Sequence, residues 1–158
     1  MKNWRGQCHC GAVGFEYRTA HAPAAWPVRA CQCSFCLKHH GVYTSDPNGS
    51  VRFAHREPEL LTRYRFGHKT ADFIFCARCA GYLGAVTEEA GQALMVINLH
   101  AFDPPVEGLA AAQPMSYEGE TTGDRNTRRS SAGTRCPIAH EKGRPGGRPS
   151  CRTGEAAR

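Results

Sequence analysis

Seven of the nine cysteines lie in three short clusters, and no other feature constrains the fold of this chain as strongly. Cysteines one or two residues apart place both sulfurs on one side of a tight turn, where they bind a single metal ion. Zinc takes such thiolates at about 2.3 Å in tetrahedral geometry. The sequence therefore predicts a fold that metal helps to hold together. The three clusters are Cys8-His9-Cys10, Cys31-Gln32-Cys33-Ser34-Phe35-Cys36 and Cys76-Ala77-Arg78-Cys79.

Seven sulfurs are too many for one four-coordinate site and one short of two closed sites. A division into four and three leaves one zinc fully enclosed and the other with an open position, which is how structural and catalytic zinc sites differ. Cys8-x-Cys10 and Cys76-x-x-Cys79 are two-ligand half-sites, whereas the middle cluster supplies three ligands from one loop. We therefore expect two zinc ions per chain, one with its fourth position free for water or substrate.

Spacing alone leaves other arrangements of ligands open. A single metal site is one of them, because free cysteines are often buried as small apolar residues. A histidine from His9, His39 or His40 is another, since it would close the three-thiol site. A third arrangement divides the cysteines into a closed site of Cys8, Cys10, Cys31 and Cys33 and a second set of Cys36, Cys76 and Cys79.

The start of the chain and its hydropathy bear on the cellular compartment. Residues 1–6 contain no apolar stretch of the kind found in a secretory signal. No apolar run approaches the roughly 18 residues that cross a membrane. We therefore expect a cytoplasmic protein without a membrane partner. In such a reducing compartment, clustered thiols bind metal more often than they form disulfides.

Short strand patterns separated by turn signals dominate the first 120 residues, which predicts an all-β fold. Apolar residues alternate with polar ones along residues 13–17 and 60–66, the pattern of half-buried strands. Further strands are predicted at the apolar runs 73–75, 82–86 and 93–99, the last two joined through residues 87–92 as a hairpin connection.

A turn and two short helices are also predicted within the first 120 residues. Asp46-Pro47-Asn48-Gly49 predicts a turn, because proline presets φ and Asn-Gly tolerates positive φ. The candidates for helix are short, namely the turn after Cys33 and residues 106–112. Several prolines elsewhere disfavour long helices.

The last 38 residues differ in composition from the rest of the chain. Residues 1–120 hold 11 Lys/Arg and 11 Asp/Glu, whereas residues 121–158 hold nine and three, which accounts for the whole net charge of +6. This segment has no aromatic residue and Ile138 is its one large aliphatic residue, so it cannot bury enough apolar surface to offset its ordering entropy. We expect a domain over 1–120 and a disordered basic tail over 121–158.

The predicted tail carries no signal for a dedicated partner. Nucleic acid is not predicted to bind there, because no aromatic side chains interleave the positive charges for base stacking. Cys136 and Cys151 lie in this segment alone, without metal-binding spacing, and are expected to be spare thiols.

The clusters and their flanking residues resemble the glutathione-dependent formaldehyde-activating enzymes, a family that shares its domain with centromere protein V. The resemblance covers about residues 4–120 and implies an Mss4-like fold of several small coiled β-sheets. The family has glycine directly after the last cysteine, where this chain has Ala80 followed by Gly81. The matching motifs are Gly6-Gln7-Cys8-His9-Cys10-Gly11-Ala12-Val13, then Cys31-Gln32-Cys33-Ser34-Phe35-Cys36 with Lys38 and Gly41, then Phe75-Cys76-x-x-Cys79.

The resemblance also implies an activity, that of a carbon–sulfur lyase. In the family, glutathione adds through its sulfur to formaldehyde and gives S-hydroxymethylglutathione, and a related aldehyde is the alternative substrate here. A metal-bound thiol has a lowered pKa, so a thiolate is available at neutral pH. The resemblance implies a structural zinc held by Cys8, Cys10, Cys76 and Cys79, and a catalytic zinc held by Cys31, Cys33 and Cys36.

A different class of function competes with the enzyme, namely a non-catalytic binding module with two structural zincs and a protein partner. For the enzyme, residues close to the middle cluster are candidates for further roles. The candidate proton donors to the hemithioacetal oxygen are His39, His40, Tyr43 and Thr44. The candidate anchors for glutathione carboxylates are Arg29, Lys38 and Arg52.

Overall fold

Strands form most of the regular structure in the computed structural model of this chain, which describes residues 1–89 and 91–136. Two helices, α1 (Ser34–His39) and α2 (Thr122–Ala132), and three single turns of 3-10 helix accompany them. The prediction of an all-β fold is therefore confirmed. The strands are β1 (Lys2–Gln7), β2 (Gly14–Thr19), β3 (Arg29–Cys31), β4 (Val42–Thr44), β5 (Ser50–Phe53), β6 (Leu61–Tyr64), β7 (Asp72–Cys76), β8 (Tyr82–Glu89), β9 (Gln92–Asn98), β10 (Gln113–Met115) and β11 (Thr134–Arg135).

Strand β9 lies at the branch point of the sheet. One path of hydrogen-bonded strands runs β1-β2-β5-β11-β9-β4-β3-β10, and a second leaves β9 through β8, β7 and β6. The pairs β10–β3 and β11–β5 are parallel, and the other pairs are antiparallel. The nearly continuous apolar run of β9 suits this position, because Met95 and Ile97 are both fully buried.

Two apolar clusters fill the curled sheet. The larger one packs β1, β2, β5 and β9 around Trp26, whose ring lies 5.1 Å from the Trp4 ring and 5.2 Å from the Tyr17 ring in edge-on contacts. The smaller one contains Phe35, Tyr43, Tyr82 and the thiol of Cys36, with further aromatic side chains of β7 packed against it. The smaller cluster therefore places a cysteine of the middle motif inside an aromatic environment.

The strands predicted from apolar patterns are confirmed as β2, β6, β7, β8 and β9. The predicted turn at residues 46–49 is also confirmed, because the Gly49 N–H donates to the Asp46 carbonyl at 2.9 Å. The hairpin connection over 87–92 is wrong in extent. Strands β8 and β9 stay paired as far as Glu89 and Gln92, so the connection is tighter than the polar composition of this segment suggested.

One of the two short helix predictions is confirmed. The turn after Cys33 forms α1, which ends where His40 adopts left-handed backbone with φ 50°. The prediction for residues 106–112 is wrong, because the segment is irregular and Gly108 interrupts it with φ +74°. In the described part of the chain, no helix is long and apolar enough to cross a membrane.

The prediction that disorder begins at residue 121 is wrong for residues 121–136. Thr121 and Asp124 form a reciprocal capping box that begins α2, and β11 then pairs with β9 and β5. Thr134 is fully buried and Cys136 is buried as well. The average composition of the last 38 residues concealed this ordered portion. Residues 137–158 of the predicted tail, with Cys151, lie outside the described residues.

Candidate metal centre

Four thiols converge where the β1–β2 turn meets the β7–β8 turn. The sulfurs of Cys8, Cys10, Cys76 and Cys79 all lie within 4.8 Å of one another. Cys10 Sγ is 3.6 Å from Cys8 Sγ and 3.7 Å from Cys76 Sγ. Four sulfurs at about 2.3 Å from a central ion in tetrahedral geometry are about 3.8 Å apart, so this four-thiol cluster fits a metal ion of that kind.

Backbone hydrogen bonds hold both turns of the four-thiol cluster. The Cys8 N–H donates to the Val13 carbonyl at 2.8 Å, and the Val13 N–H donates back to Cys8 Sγ at 3.3 Å. On the other turn, the Cys76 N–H donates to the Gly81 carbonyl at 3.1 Å. These hydrogen bonds fix the backbone of both turns next to the sulfurs.

A loop between β5 and β6 braces the two turns from outside. Arg56 donates through Nε to the Gly11 carbonyl at 2.8 Å, which fixes the first turn. Its neighbour Glu57 accepts two hydrogen bonds from Arg78, at 2.7 and 2.5 Å, which fixes the second turn. Consecutive residues of one loop therefore bind both halves of the four-thiol cluster.

Ala80 and Gly81 end the second turn, and their order departs from the family pattern. Ala80 adopts left-handed backbone with φ 57°, the conformation that glycine enters without steric cost. Gly81 is needed for a different reason, because a Cβ there would lie 2.8 Å from Cys8 Cβ. The glycine that this chain has permits close approach of the two turns, while the alanine before it adopts a strained conformation.

The other three clustered thiols come from the end of β3 and from α1. The sulfurs of Cys31, Cys33 and Cys36 lie within 4.8 Å of one another. Cys33 caps α1, since its sulfur accepts the Cys36 N–H at 3.5 Å, and Cys36 is buried. Hydrogen bonding from the Cys36 thiol lowers the pKa of Cys31 to about 6, and the same contact raises the pKa of Cys36.

The structure thus divides the seven cysteines into four and three, and the alternative divisions are not formed. No histidine nitrogen joins either group within the described residues. His39 instead packs against Phe35 in a tilted ring contact, with ring centroids 4.4 Å apart, and His40 is exposed at the end of α1. Cys136 belongs to neither group.

A cavity of about 610 Å³ lies beside the three-thiol cluster of Cys31, Cys33 and Cys36. Its other walls come from β8 and β9, from residues 66–73 and 115–118, and from α2. The four-thiol cysteines are not among the described residues that line it. The two clusters therefore differ in access, because the three-thiol cluster opens into a space large enough for a small-molecule ligand.

Positive charge from several elements surrounds this cavity. Arg128 is paired with Glu120 through two hydrogen bonds of 2.8 Å and lies over the Tyr117 ring. Arg129 donates to the Thr70 hydroxyl at 2.6 Å. Among the described lining residues, Glu118 is the acidic one, and it is exposed. The lining therefore carries more positive than negative charge.

Two guanidinium groups of the lining have no carboxylate partner in the described part of the chain. Arg29 donates to the neutral hydroxyl of Ser45, and burial lowers the pKa of Arg29. Arg125 donates through Nη2 to the Tyr117 carbonyl at 2.8 Å, and its buried Nε has no hydrogen-bond partner there. Cationic groups left without a counter-charge beside a cavity are suited to an anionic ligand.

The residues predicted from sequence for other roles are dispersed. Arg29 and Tyr43 line the cavity, but Thr44 is fully buried and Lys38 is exposed on α1, and neither lines it. Arg52 is paired with Glu16 at 2.7 Å on the outer face of β5 and β2, and it does not line the cavity either.

The sequence analysis did not identify the cavity residues that lie near the end of the family-like segment and after it. Arg125 and Arg128 lie in a stretch that was expected to be disordered, and Tyr117 lies at its edge. The sequence contains one signal for α2, since Thr121-Thr122-Gly123-Asp124 has the spacing of a capping box. His68 and Tyr82 were also missed, because contacts made only in the folded chain bring them to the site.

The fold and the two clusters define an all-β protein whose cysteines can hold two metal ions, one of them beside a cavity. Comparison with known families is consistent with this class. The profile described as Glutathione-dependent formaldehyde-activating enzyme (GFA) matches residues 3–117, and the chain belongs to this family. It is also similar to the crystal structure of a Rhodobacter sphaeroides protein, with 26% identity, a TM-score of 0.49, and coverage of 77% of this chain and 94% of that one.

The Ala80→Gly variant should stabilise the four-thiol turn. Glycine adopts positive φ without the steric penalty of a Cβ, so we expect the free energy of unfolding to rise by about 1 kcal/mol. Denaturant unfolding of metal-loaded protein, at a fixed metal concentration, measures this change. The matched control is Gly81→Ala, which should instead lower stability, because its Cβ would press on Cys8. Equal stability of wild type and Ala80→Gly would contradict the strain assigned to Ala80.

Proposed function

We propose that this chain is a zinc-dependent carbon–sulfur lyase that joins glutathione to formaldehyde or a related aldehyde. The observation that supports it most is the difference in access between the two clusters, since the three thiols line the cavity and the four do not. In this proposal the four-thiol cluster, which is enclosed, holds a structural zinc through Cys8, Cys10, Cys76 and Cys79. The three-thiol cluster, which is open to the cavity, holds a catalytic zinc through Cys31, Cys33 and Cys36.

The proposed reaction is a thiol addition to a carbonyl group. Zinc, when bound, supplies positive charge that lowers the pKa of an incoming thiol toward neutrality. The glutathione sulfur forms a bond to the aldehyde carbon, and the π electron pair of the carbonyl group moves to its oxygen. The oxygen then takes up one proton in place of the proton that the thiol lost. The product is S-hydroxymethylglutathione, and neither oxidant nor reductant is required.

The charge of the cavity supports glutathione as the thiol. Glutathione carries two carboxylates, and Arg29 and Arg125 are guanidinium groups without a carboxylate partner in the described residues. A guanidinium group binds a carboxylate through paired, charge-assisted hydrogen bonds. Of the three anchors expected from sequence, Arg29 is retained in the proposal. Arg125 replaces Lys38 and Arg52, because neither of those lines the cavity.

The proposal also includes a compartment. A cytoplasmic location would keep the seven clustered thiols reduced and available to zinc. We propose small-molecule partners alone, and neither a membrane nor a nucleic acid. The competing function, a binding module with two structural zincs, becomes an outcome of the activity test below.

The direct test of the proposed activity is exchange NMR of glutathione with formaldehyde. Because the addition also proceeds without a catalyst, the measured quantity is the exchange rate above that of buffer. We expect wild type to accelerate exchange, and Cys33→Ser to reduce the acceleration by more than about tenfold, since it removes a ligand from the open cluster.

The control for this experiment is Cys136→Ser, which changes a buried thiol of neither cluster and should keep the acceleration. Zinc content is measured on each sample. Two zincs per chain with no acceleration by wild type would overturn the enzyme proposal and favour the binding module.

Replacement of Arg125 by alanine tests the role of positive charge at the cavity. We expect the glutathione concentration for half-maximal acceleration to rise about tenfold, because a charge-assisted hydrogen bond to a carboxylate is lost. The maximal rate should change little, since Arg125 is not a metal ligand. Arg52→Ala is the matched control, because it removes an arginine of the outer surface. Equal effects of the two variants would contradict a carboxylate site at Arg125.

A further inference from the structure

A chain of two phenol groups ends on one of the three cavity thiols. Tyr43 Oη lies 3.1 Å from Cys36 Sγ, and Tyr82 Oη lies 2.9 Å from Tyr43 Oη. All three side chains are buried in the smaller aromatic cluster. Neither Cys31 nor Cys33 has a tyrosine hydroxyl within hydrogen-bond distance in the described structure, so this contact distinguishes Cys36 from the other two thiols.

The direction of these hydrogen bonds follows from the charge state of Cys36, which here rests on the proposed function. A metal-binding cysteine is a thiolate, and a thiolate sulfur can only accept hydrogen bonds. The Tyr43 hydroxyl must therefore donate the hydrogen bond to Cys36 Sγ, and the Tyr43 oxygen can then accept a hydrogen bond from the Tyr82 hydroxyl. Each hydrogen bond polarises the next one, so the donor that Cys36 meets is stronger than a lone phenol.

The surrounding structure holds this chain of hydroxyls in place. Tyr82 begins β8, and its carbonyl accepts a hydrogen bond of 3.0 Å from the buried amide of Asn98. Its ring packs against Phe75, with centroids 4.8 Å apart. Tyr43 is paired with Asn98 across β4 and β9. Both tyrosines are thus fixed by the same residue of β9, and neither needs to reorient to reach its partner.

We propose that Tyr43 and Tyr82 are positioning residues that keep Cys36 from reacting with the aldehyde. A hydrogen bond to a thiolate draws charge from the sulfur and lowers its nucleophilicity. In a cavity that admits an aldehyde, the thiolates that bind the metal can attack the aldehyde carbon just as the substrate thiol does. The hydrogen-bond relay from Tyr82 through Tyr43 to Cys36 thus keeps Cys36 as a metal ligand. An incoming thiol receives no hydrogen bond from Tyr43 and keeps its nucleophilicity.

Alkylation of the metal-loaded protein by iodomethane tests this proposal. The thiolate sulfur displaces iodide, and mass spectrometry of peptides gives a separate methylation rate for each cysteine. In Tyr43→Phe, we expect the rate at Cys36 to rise roughly tenfold relative to the rate at Cys31, because one hydrogen bond to a charged group is lost. In Tyr82→Phe, the same ratio should rise by a smaller factor, because Tyr43 remains but is no longer polarised.

Tyr64→Phe is the matched control, since Tyr64 packs on the same aromatic cluster but is half exposed, at 51%. It should leave the ratio of Cys36 to Cys31 unchanged. A role that is merely structural would raise the rates of all three thiols together, and this outcome would overturn the relay. An unchanged ratio of the methylation rates at Cys36 and Cys31 in Tyr43→Phe would also overturn the proposal. If Tyr43→Phe does not fold, Tyr82→Phe decides alone, and an unchanged ratio there overturns the proposal.

Metal content measured on the same samples separates this proposal from the proposed function. Wild type that holds metal at both clusters, with no change of the ratio in the variants, would remove the relay and leave the enzyme proposal intact. Wild type that holds metal at the four-thiol cluster alone would overturn the proposed function, and with it the direction assigned to the Tyr43 hydrogen bond.

Discussion

The convergence of the β1–β2 turn and the β7–β8 turn on four sulfurs is the constraint on which the rest of the structure depends. These turns are far apart in sequence, since Cys8 and Cys76 belong to different halves of the described chain. Gly81 permits the approach, because any Cβ there would press on Cys8. Metal bound between them would couple its binding free energy to folding, which suits a chain whose core is divided into two clusters.

The same convergence also positions the open cluster. Strand β8 begins at Tyr82, three residues after the last sulfur of the four-thiol cluster, and Tyr82 reaches Cys36 through Tyr43. The enclosed cluster therefore fixes the start of the strand that supports the open one. The two sites have different tasks in the proposed function but share this one element, so a disturbance at Gly81 should be transmitted to both.

Sequence was most informative where chemistry is encoded locally. The pattern of apolar residues was enough to predict an all-β fold, and the spacing of the cysteines was enough to predict metal sites. The short helix predicted after Cys33 is α1. Spacing did not decide how the seven sulfurs divide, because sulfurs that are distant in sequence meet only through the pairing of strands. The family resemblance implied which sulfurs belong together, and the pairing of β1–β2 and β7–β8 brings the four of them to one place.

The site around the thiols was the least predictable part. Arg125 lies on α2, which has no buried residue. The polar composition of this helix therefore resembles that of an unfolded segment. Its order comes from a capping box and from the burial of Thr134, which no average over the last 38 residues reveals. Tyr82 was predicted as part of a strand, but its hydroxyl reaches Tyr43 from a distant segment. Sequence showed which atoms can bind metal, and the fold showed which of them face the cavity.

X-ray absorption at the zinc edge tests most directly whether the open cluster keeps a position for a substrate thiol. One enclosed and one open zinc per chain predict about 3.5 sulfurs per zinc on average, with oxygen making up the remainder. Addition of glutathione should raise the average to about 4, as a fourth sulfur enters the open site. An average that does not change on addition of glutathione would contradict the open position, and with it the function proposed for this chain.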